Sequence, residues 1–372
     1  MAVGSGPLAG GMREVARLKE AYEALAEALR NLPNGFCRTE SGVEIEILKI
    51  MFTAEEAELA RLLSDIWEPA GAISARAGAE DVRTKGLLKD MARKGTVLAK
   101  AGDGELLFRL NKFIVGSYES TMQRLEGDLA HRFAHLFEEY LIESGGLADM
   151  MRPDPAIHRV VPAHGATKTE WILPYDDVKA FLEGAKSFYL IDCVCKKQQD
   201  LLGTRKCDFP LRSCLSWAPV ERPASPYSVS REEALAFLDE AERIGLVHTV
   251  SNVAKGINYV CNCCGCCCGI LRGITEFGIN ESVAHANYYA VVDAESCSGC
   301  GLCQDRCQVH AVAVRDGVAV IDRIRCIGCG LCVTACATGA AQLHLKPEDE
   351  IVEPPADLGV WSQRRKKSRG LE

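Results

Sequence analysis

Apolar residues in the N-terminal half recur at helical spacing. The series Val15, Leu18, Tyr22, Leu25, Leu29 and Leu32 steps by three and four, which predicts a helix with a narrow apolar seam. The repeat is too short for an independent coiled coil, so the seam is expected to pack on its own domain, with docking to a second chain as the alternative. Downstream, "TAEEAELARLL" opens with Thr53 three residues before Glu56, the pattern of a capping box. "AEDVRTKGLLKDMARKG" predicts a helix ending at Gly95, and "TVLAKAGDGELLFRL" two short strands around Ala101 to Gly104. In the middle of the chain, "SREEALAFLDEAERIG" predicts a helix capped by Ser230 and Glu233 and closed by Gly245. Near the C-terminus, "AVAVRDGVAVI" alternates apolar residues around Asp316-Gly317, a hairpin signal. Periodicity then stops. "PEDEIVEPPADLG" has no apolar face and "RRKKSR" repels itself, so residues 346–372 are expected to form a disordered tail, or else to meet an acidic partner.

Length and composition place these elements in an ordinary globular chain. Its 372 residues, 48% of them hydrophobic, suffice for two or three domains with cores of their own. The net charge of −8 argues against general affinity for nucleic acid or acidic membranes. No stretch approaches eighteen apolar residues, and "MAVGSGPLAGGM" does not read as a signal peptide, so a cytoplasmic protein is the expectation.

The nineteen cysteines change the picture. Only Cys37 precedes residue 193, and a long cysteine-poor segment without an export signal favours reduced, metal-binding thiolates over a disulfide framework. "CSGCGLCQDRC" sets Cys297, Cys300, Cys303 and Cys307 in C-x2-C-x2-C-x3-C spacing, and "CIGCGLCVTAC" repeats it with Cys326, Cys329, Cys332 and Cys336. Three cysteines at i, i+3 and i+6 can wrap three corners of a cubane, while the fourth, entering a short helix, points to the other half. Cys297, Cys300, Cys303 and Cys336 are therefore expected to hold one [4Fe-4S] cluster, and Cys326, Cys329, Cys332 and Cys307 the other. Gly299, Gly301, Gly328 and Gly330 free the backbone to curl so that amides can face the cluster sulfides. Structural zinc usually takes two separated C-x2-C pairs rather than two complete sets of this kind. Residues from about Tyr288 to Leu345 resemble the bacterial two-cluster ferredoxins. The proline that usually follows the fourth cysteine is Gln308 in one half and Ala337 in the other.

Ten further cysteines lie upstream. Cys193, Cys195, Cys207 and Cys214 precede the dense run "YVCNCCGCCCGIL", which contains Cys261, Cys263, Cys264, Cys266, Cys267 and Cys268. Within the run, Cys261, Cys264 and Cys267 keep the three-residue step of the downstream motifs and are the expected ligand phase. The group from Cys193 to Cys214 either completes that site or holds a cluster of its own. This segment resembles a cysteine-rich region of iron–sulfur proteins from anaerobes. Several of its cysteines could instead be small buried apolar side chains.

Helix, helix and two-stranded ribbon over about Gly42 to Asn111 resemble a winged helix. Its second helix sets Arg83, Lys85, Lys89, Arg93 and Lys94 against Glu80, Asp81 and Asp90, a small basic excess that favours protein docking over DNA. His131 and His135 lack the glutamate of a zincin motif and read as ordinary helix residues.

The expected fold class is α+β, with a winged-helix-like docking domain (1–150), a cysteine-rich cluster domain (151–286), a ferredoxin-like domain (287–345) and the tail. No nucleotide-binding fingerprint or activated nucleophile is visible. The leading expectation is an iron–sulfur electron-transfer protein, or such a subunit of a larger oxidoreductase complex, with two [4Fe-4S] clusters, at least one further iron–sulfur cluster, and redox-protein donor and acceptor partners. The alternatives are a reductase subunit with an active-site cluster in the cysteine-rich region, and a redox-sensing transcription regulator.

Overall fold

The computed structural model describes residues 7–371, with side chains from residue 17. The first six residues, within the stretch read against an export signal, and the side chain of Val15 fall outside that range. Among the described residues no helix is long and apolar enough to cross a membrane. The chain divides into two compact units, Met1–Met150 with Arg369–Glu372, and Met151–Ser368.

In the first unit the long helix Pro7–Arg30 buries Tyr22, Leu25 and Leu29 against the neighbouring helices Val43–Met51 and Ala54–Ala60, so its seam packs within the unit. Thr53 and Glu56 form the predicted capping box. The helices Ala70–Ala77 and Asp81–Lys94 precede an antiparallel pair, Val97–Ala101 and Leu106–Leu110, and Glu68–Pro69 adds a short third strand beside the latter. Gly95 ends the second helix at φ +77, a conformation that costs glycine little. The helix Gly127–Glu143 turns Phe133, Phe137 and Tyr140 inward, where they pack with Phe36, Phe113 and Tyr118. Cys37 belongs to this core, and burial pushes its thiol up to about 12, as expected of an inert apolar side chain.

The second unit is built on a six-stranded antiparallel sheet in the order His158–Val161, Val247–Ser251, Tyr259–Cys263, Arg212–Ala218, Ser187–Asp192, Ser228–Val229. One face carries Val161, Phe188, Leu215, Trp217, Val250 and Val260 and is covered by Ala234 and Leu238 of the helix Arg231–Ile244. The capping box of Ser230 and Glu233 starts that helix, and Gly245 at φ +101 ends it. The segment after the sheet pairs Tyr288–Val292 with Ala341–Leu345 and forms the hairpin Val312–Arg315 and Val318–Ile321, whose turn residues Asp316 and Gly317 both take positive φ.

Two departures from the sequence expectations stand out. The boundary placed at residue 286 divides segments that belong to one unit: Ala163 donates to the carbonyl of Cys329, and Ala286 to that of Ile327. The chain after 346 is ordered within the described residues. Its backbone bonds Pro355 and Ala356 to Ala254 and Lys255, and Leu358–Ser368 is a helix. The self-repelling run is held because fully buried Arg365 donates to the carbonyls of Pro153 and Pro155 at 2.6 Å, while Trp361 donates to Ala156 at 3.0 Å.

Candidate metal centres

Each downstream motif is a loop running into a one-turn helix, Leu302–Asp305 in the first and Leu331–Thr334 in the second. Gly301 and Gly330, at φ +81 and +76, start these helices. The loops press on backbone: a Cβ on Gly299 would lie 2.4 Å from the carbonyl oxygen of Gly317, and one on Gly328 2.3 Å from that of Tyr288. Only glycine fits there, since both also have positive φ. Cys297, Cys300, Cys303 and Cys336 line one cleft with Val292, Ala319 and Ala341. Cys307, Cys326, Cys329 and Cys332 line a second with Ile321, Ile327 and Leu331. The fourth cysteine of each motif thus faces the other motif's cleft.

The environment of these sulfurs fits a thiolate-ligated cluster. Amides of Ala311, Ala341 and Ala319 donate to Cys307, Cys336 and Cys297 at 3.1, 3.3 and 3.5 Å. Burial pushes Cys332 up to about 12 and Cys329 well above an ordinary thiol, and neighbouring thiolates raise both further. Such thiols stay protonated until a metal displaces the proton. Cys336 goes the other way. Burial opposes its ionisation, but the amide of Ala341 and the hydroxyl of Thr338 outweigh it and lower its pKa.

The ten upstream cysteines fall into two groups. Cys193, Cys195, Cys268, Cys263, Cys261 and Cys214 form a closed ring of neighbours, each thiol shifting the ionisation of the next and Cys214 that of Cys193. Strand geometry explains most of it. Cys214 and Cys261 are cross-strand partners with sulfurs 3.8 Å apart, and Cys263 lies two residues on, on the same face, opposite the one that buries Val260 and Leu215. Cys193 and Cys268 stand at the N-caps of the helices Val194–Leu202 and Gly269–Thr275. Contacts with Cys261 and Cys268 bring Cys263 down to about 6 despite its burial.

Cys207, Cys264, Cys266 and Cys267 form the second group, all four sulfurs within 4.8 Å of one another. The expected phase of Cys261, Cys264 and Cys267 is therefore split. Cys261 is still in a strand, whose period is two, whereas Cys264 and Cys267 lie in the turn that follows.

Two cations serve these groups. Lys196 is fully buried, and its Nζ donates to the carbonyl of Pro210 at 3.1 Å and to Ser213 Oγ at 2.6 Å, both neutral. Neighbouring thiols dominate the ionisation of Cys193, Cys214 and Cys264, lowering the first and raising the other two, and the charge of Lys196 adds a smaller pull toward the thiolate at all three. Arg205 bonds Cys207 and also pairs with Asp200 at 2.8 Å. Gln308, in the place of the usual proline, joins the turn to the downstream module. Its side chain accepts from the amide of Gly265 at 2.9 Å and donates to the carbonyl of Gly245 at 3.0 Å. None of these partners was legible beforehand. Lys196 directly follows Cys195 in the sequence, but only its burial marks it. His131 and His135 are exposed on the helix Gly127–Glu143.

Residues 289–346 match the family described as 4Fe-4S dicluster domain. No curated protein and no solved structure matches the chain significantly. The dicluster match and the two four-cysteine clefts within it make this an iron–sulfur chain holding multiple [4Fe-4S] clusters.

Proposed function

We propose that the protein is an electron-transfer subunit of a cytoplasmic oxidoreductase complex, taking single electrons from one redox protein and passing them to another. Cys297, Cys300, Cys303 and Cys336 would hold one [4Fe-4S] cluster, Cys307, Cys326, Cys329 and Cys332 the second, and the six-cysteine ring a further iron–sulfur cluster other than a cubane, in which Cys214 and Cys261, 3.8 Å apart, would share one iron. Such clusters, when bound, each exchange one electron at little structural cost. The observation that carries this reading is the exchange of Cys307 and Cys336 between the two clefts. The chain's own residues hold the thiolates, supply amide donors to them and keep the clefts apolar. Cys300 is exposed, and Leu302 beside it is 49% exposed, which supports partner docking at the first cleft.

The order of helices and the three-stranded sheet over 68–110 support the winged-helix reading. Three of the five basic residues on Asp81–Lys94 are paired within the unit, Arg83 with Glu55, Lys94 with Glu56 and Arg93 with Asp90, which supports a protein partner over DNA.

A second reading, a reductase subunit with its active-site cluster at the ring, has one observation in its favour. Half-buried Tyr259 lies 2.6 Å from His158 Nε2, His158 Nδ1 lies 3.4 Å from Thr249 Oγ1, and Thr249 lies 3.5 Å from Cys263 Sγ. This chain of groups could carry a proton to the ring.

The Cys307→Ala variant tests the assignment. Electron paramagnetic resonance of the reduced protein should lose the signal of the cluster held mainly by Cys326, Cys329 and Cys332, and keep the other. Loss of the first-motif cluster alone would show the assignment to be wrong.

A further inference from the structure

The spacing of thiolates around a metal centre reports what sits between them. Four thiolates bonded to one tetrahedral ion at about 2.3 Å must stand roughly 3.8 Å apart, the edge of the tetrahedron. In the second upstream group the sulfur separations are 3.8 Å for Cys207 and Cys264, 3.7 Å for Cys207 and Cys267, and 3.6 Å for Cys266 and Cys267. A cubane places irons and sulfides between its ligands, which holds the ligand sulfurs well beyond contact. Both downstream cysteine sets border open clefts, as a cubane requires.

We infer that Cys207, Cys264, Cys266 and Cys267 bind a single four-coordinate divalent ion, of the zinc or ferrous class, as a closed tetrathiolate site. Binding releases the thiol protons to solvent and leaves a centre of net charge −2. Arg205 on Cys207 and buried Lys196 toward Cys264 supply the matching positive charge. Four protein ligands leave no open position for a substrate, so the ion is structural. It ties the loop after the helix Val194–Leu202 to the turn before the helix Gly269–Thr275, 57 residues apart at Cys207 and Cys264. The same turn bonds Gln308, so the ion fixes the surface against which the dicluster segment packs. The inference stands independently of the electron-transfer reading.

The test uses the full-length protein purified anaerobically, with iron, zinc and acid-labile sulfide counted per chain. The Cys264→Ser/Cys266→Ser variant should lose one metal equivalent with sulfide unchanged. Loss of about four irons together with four sulfides, or no change in metal, would overturn the inference. Should the variant not fold, crystals of the unaltered holoprotein decide the matter by anomalous scattering at the zinc and iron edges. One isolated scatterer among the four sulfurs is expected, and its edge names the metal. A group of irons there, or no scatterer, would refute the site. The dicluster signals depend on other cysteines, so failure of the electron-transfer reading would register separately.

Discussion

Lys196 concentrates the electrostatics of the cysteine-rich region in one side chain. A lysine with no exposed surface ordinarily neutralises or pairs with a carboxylate, yet its described bonds run to a carbonyl and a hydroxyl. Its charge favours the ionised form of Cys193, Cys214 and Cys264, and the thiolates that metal binding would create there are the anions it would meet. Lys196→Met keeps the apolar stem and removes the charge. It is expected to weaken metal retention in the upstream groups roughly 10- to 100-fold, the usual effect of losing a group behind the ligands. Chelator competition followed by metal counts measures this, and the two downstream clusters should resist as in the unaltered protein. Equal retention in the variant would reduce Lys196 to packing.

Among the elements, the turn from Cys264 to Cys268 does the most with the fewest residues. It ends a strand that delivers Cys261 and Cys263 to the ring, turns three cysteines toward Cys207, and starts a helix with Cys268 back at the ring. Gly265 lets it lie flat on the dicluster segment, since a Cβ there would stand 1.9 Å from the carbonyl oxygen of Gln308. Gly265→Ala should therefore destabilise the protein by about 1–3 kcal/mol through overpacking against backbone that cannot yield. Gln308→Ala removes two hydrogen bonds and should cost about 1 kcal/mol for each. Thermal unfolding of both holoproteins checks the order. A Gly265→Ala protein as stable as the parent would mean that turn and module can separate without loss.

At the scale of the whole molecule, the first unit has an aromatic core that owes nothing to metal, and the one cysteine of residues 1–150, Cys37, is buried in it. A fragment of residues 1–150 is expected to fold without iron, with a helical circular-dichroism spectrum and cooperative melting. It should not retain duplex DNA at moderate salt, because three of the basic side chains on Asp81–Lys94 already meet carboxylates. Specific, salt-sensitive retention would bring the redox-sensing regulator forward as the better reading.

Local signals in the chain sufficed for whatever depends on neighbours in sequence. The capping boxes at Thr53 and Ser230, the Asp316-Gly317 hairpin and the seam of the first helix from Tyr22 on formed as their spacing required, since each is completed within a few residues or one helix face. The repeated C-x2-C-x2-C-x3-C motif belongs to the same class, because it wraps its site largely from one loop. The upstream cysteines do not. Their grouping depends on which strand lies beside which, and a cross-strand pair such as Cys214 and Cys261 has no signature at a separation of 47 residues. Counting in threes through the dense run imposed one period on a stretch that passes from strand to turn to helix. The ordered C-terminal segment escaped the sequence for a similar reason. Arg365 is held by carbonyls more than 200 residues away, and only the folded chain brings them together.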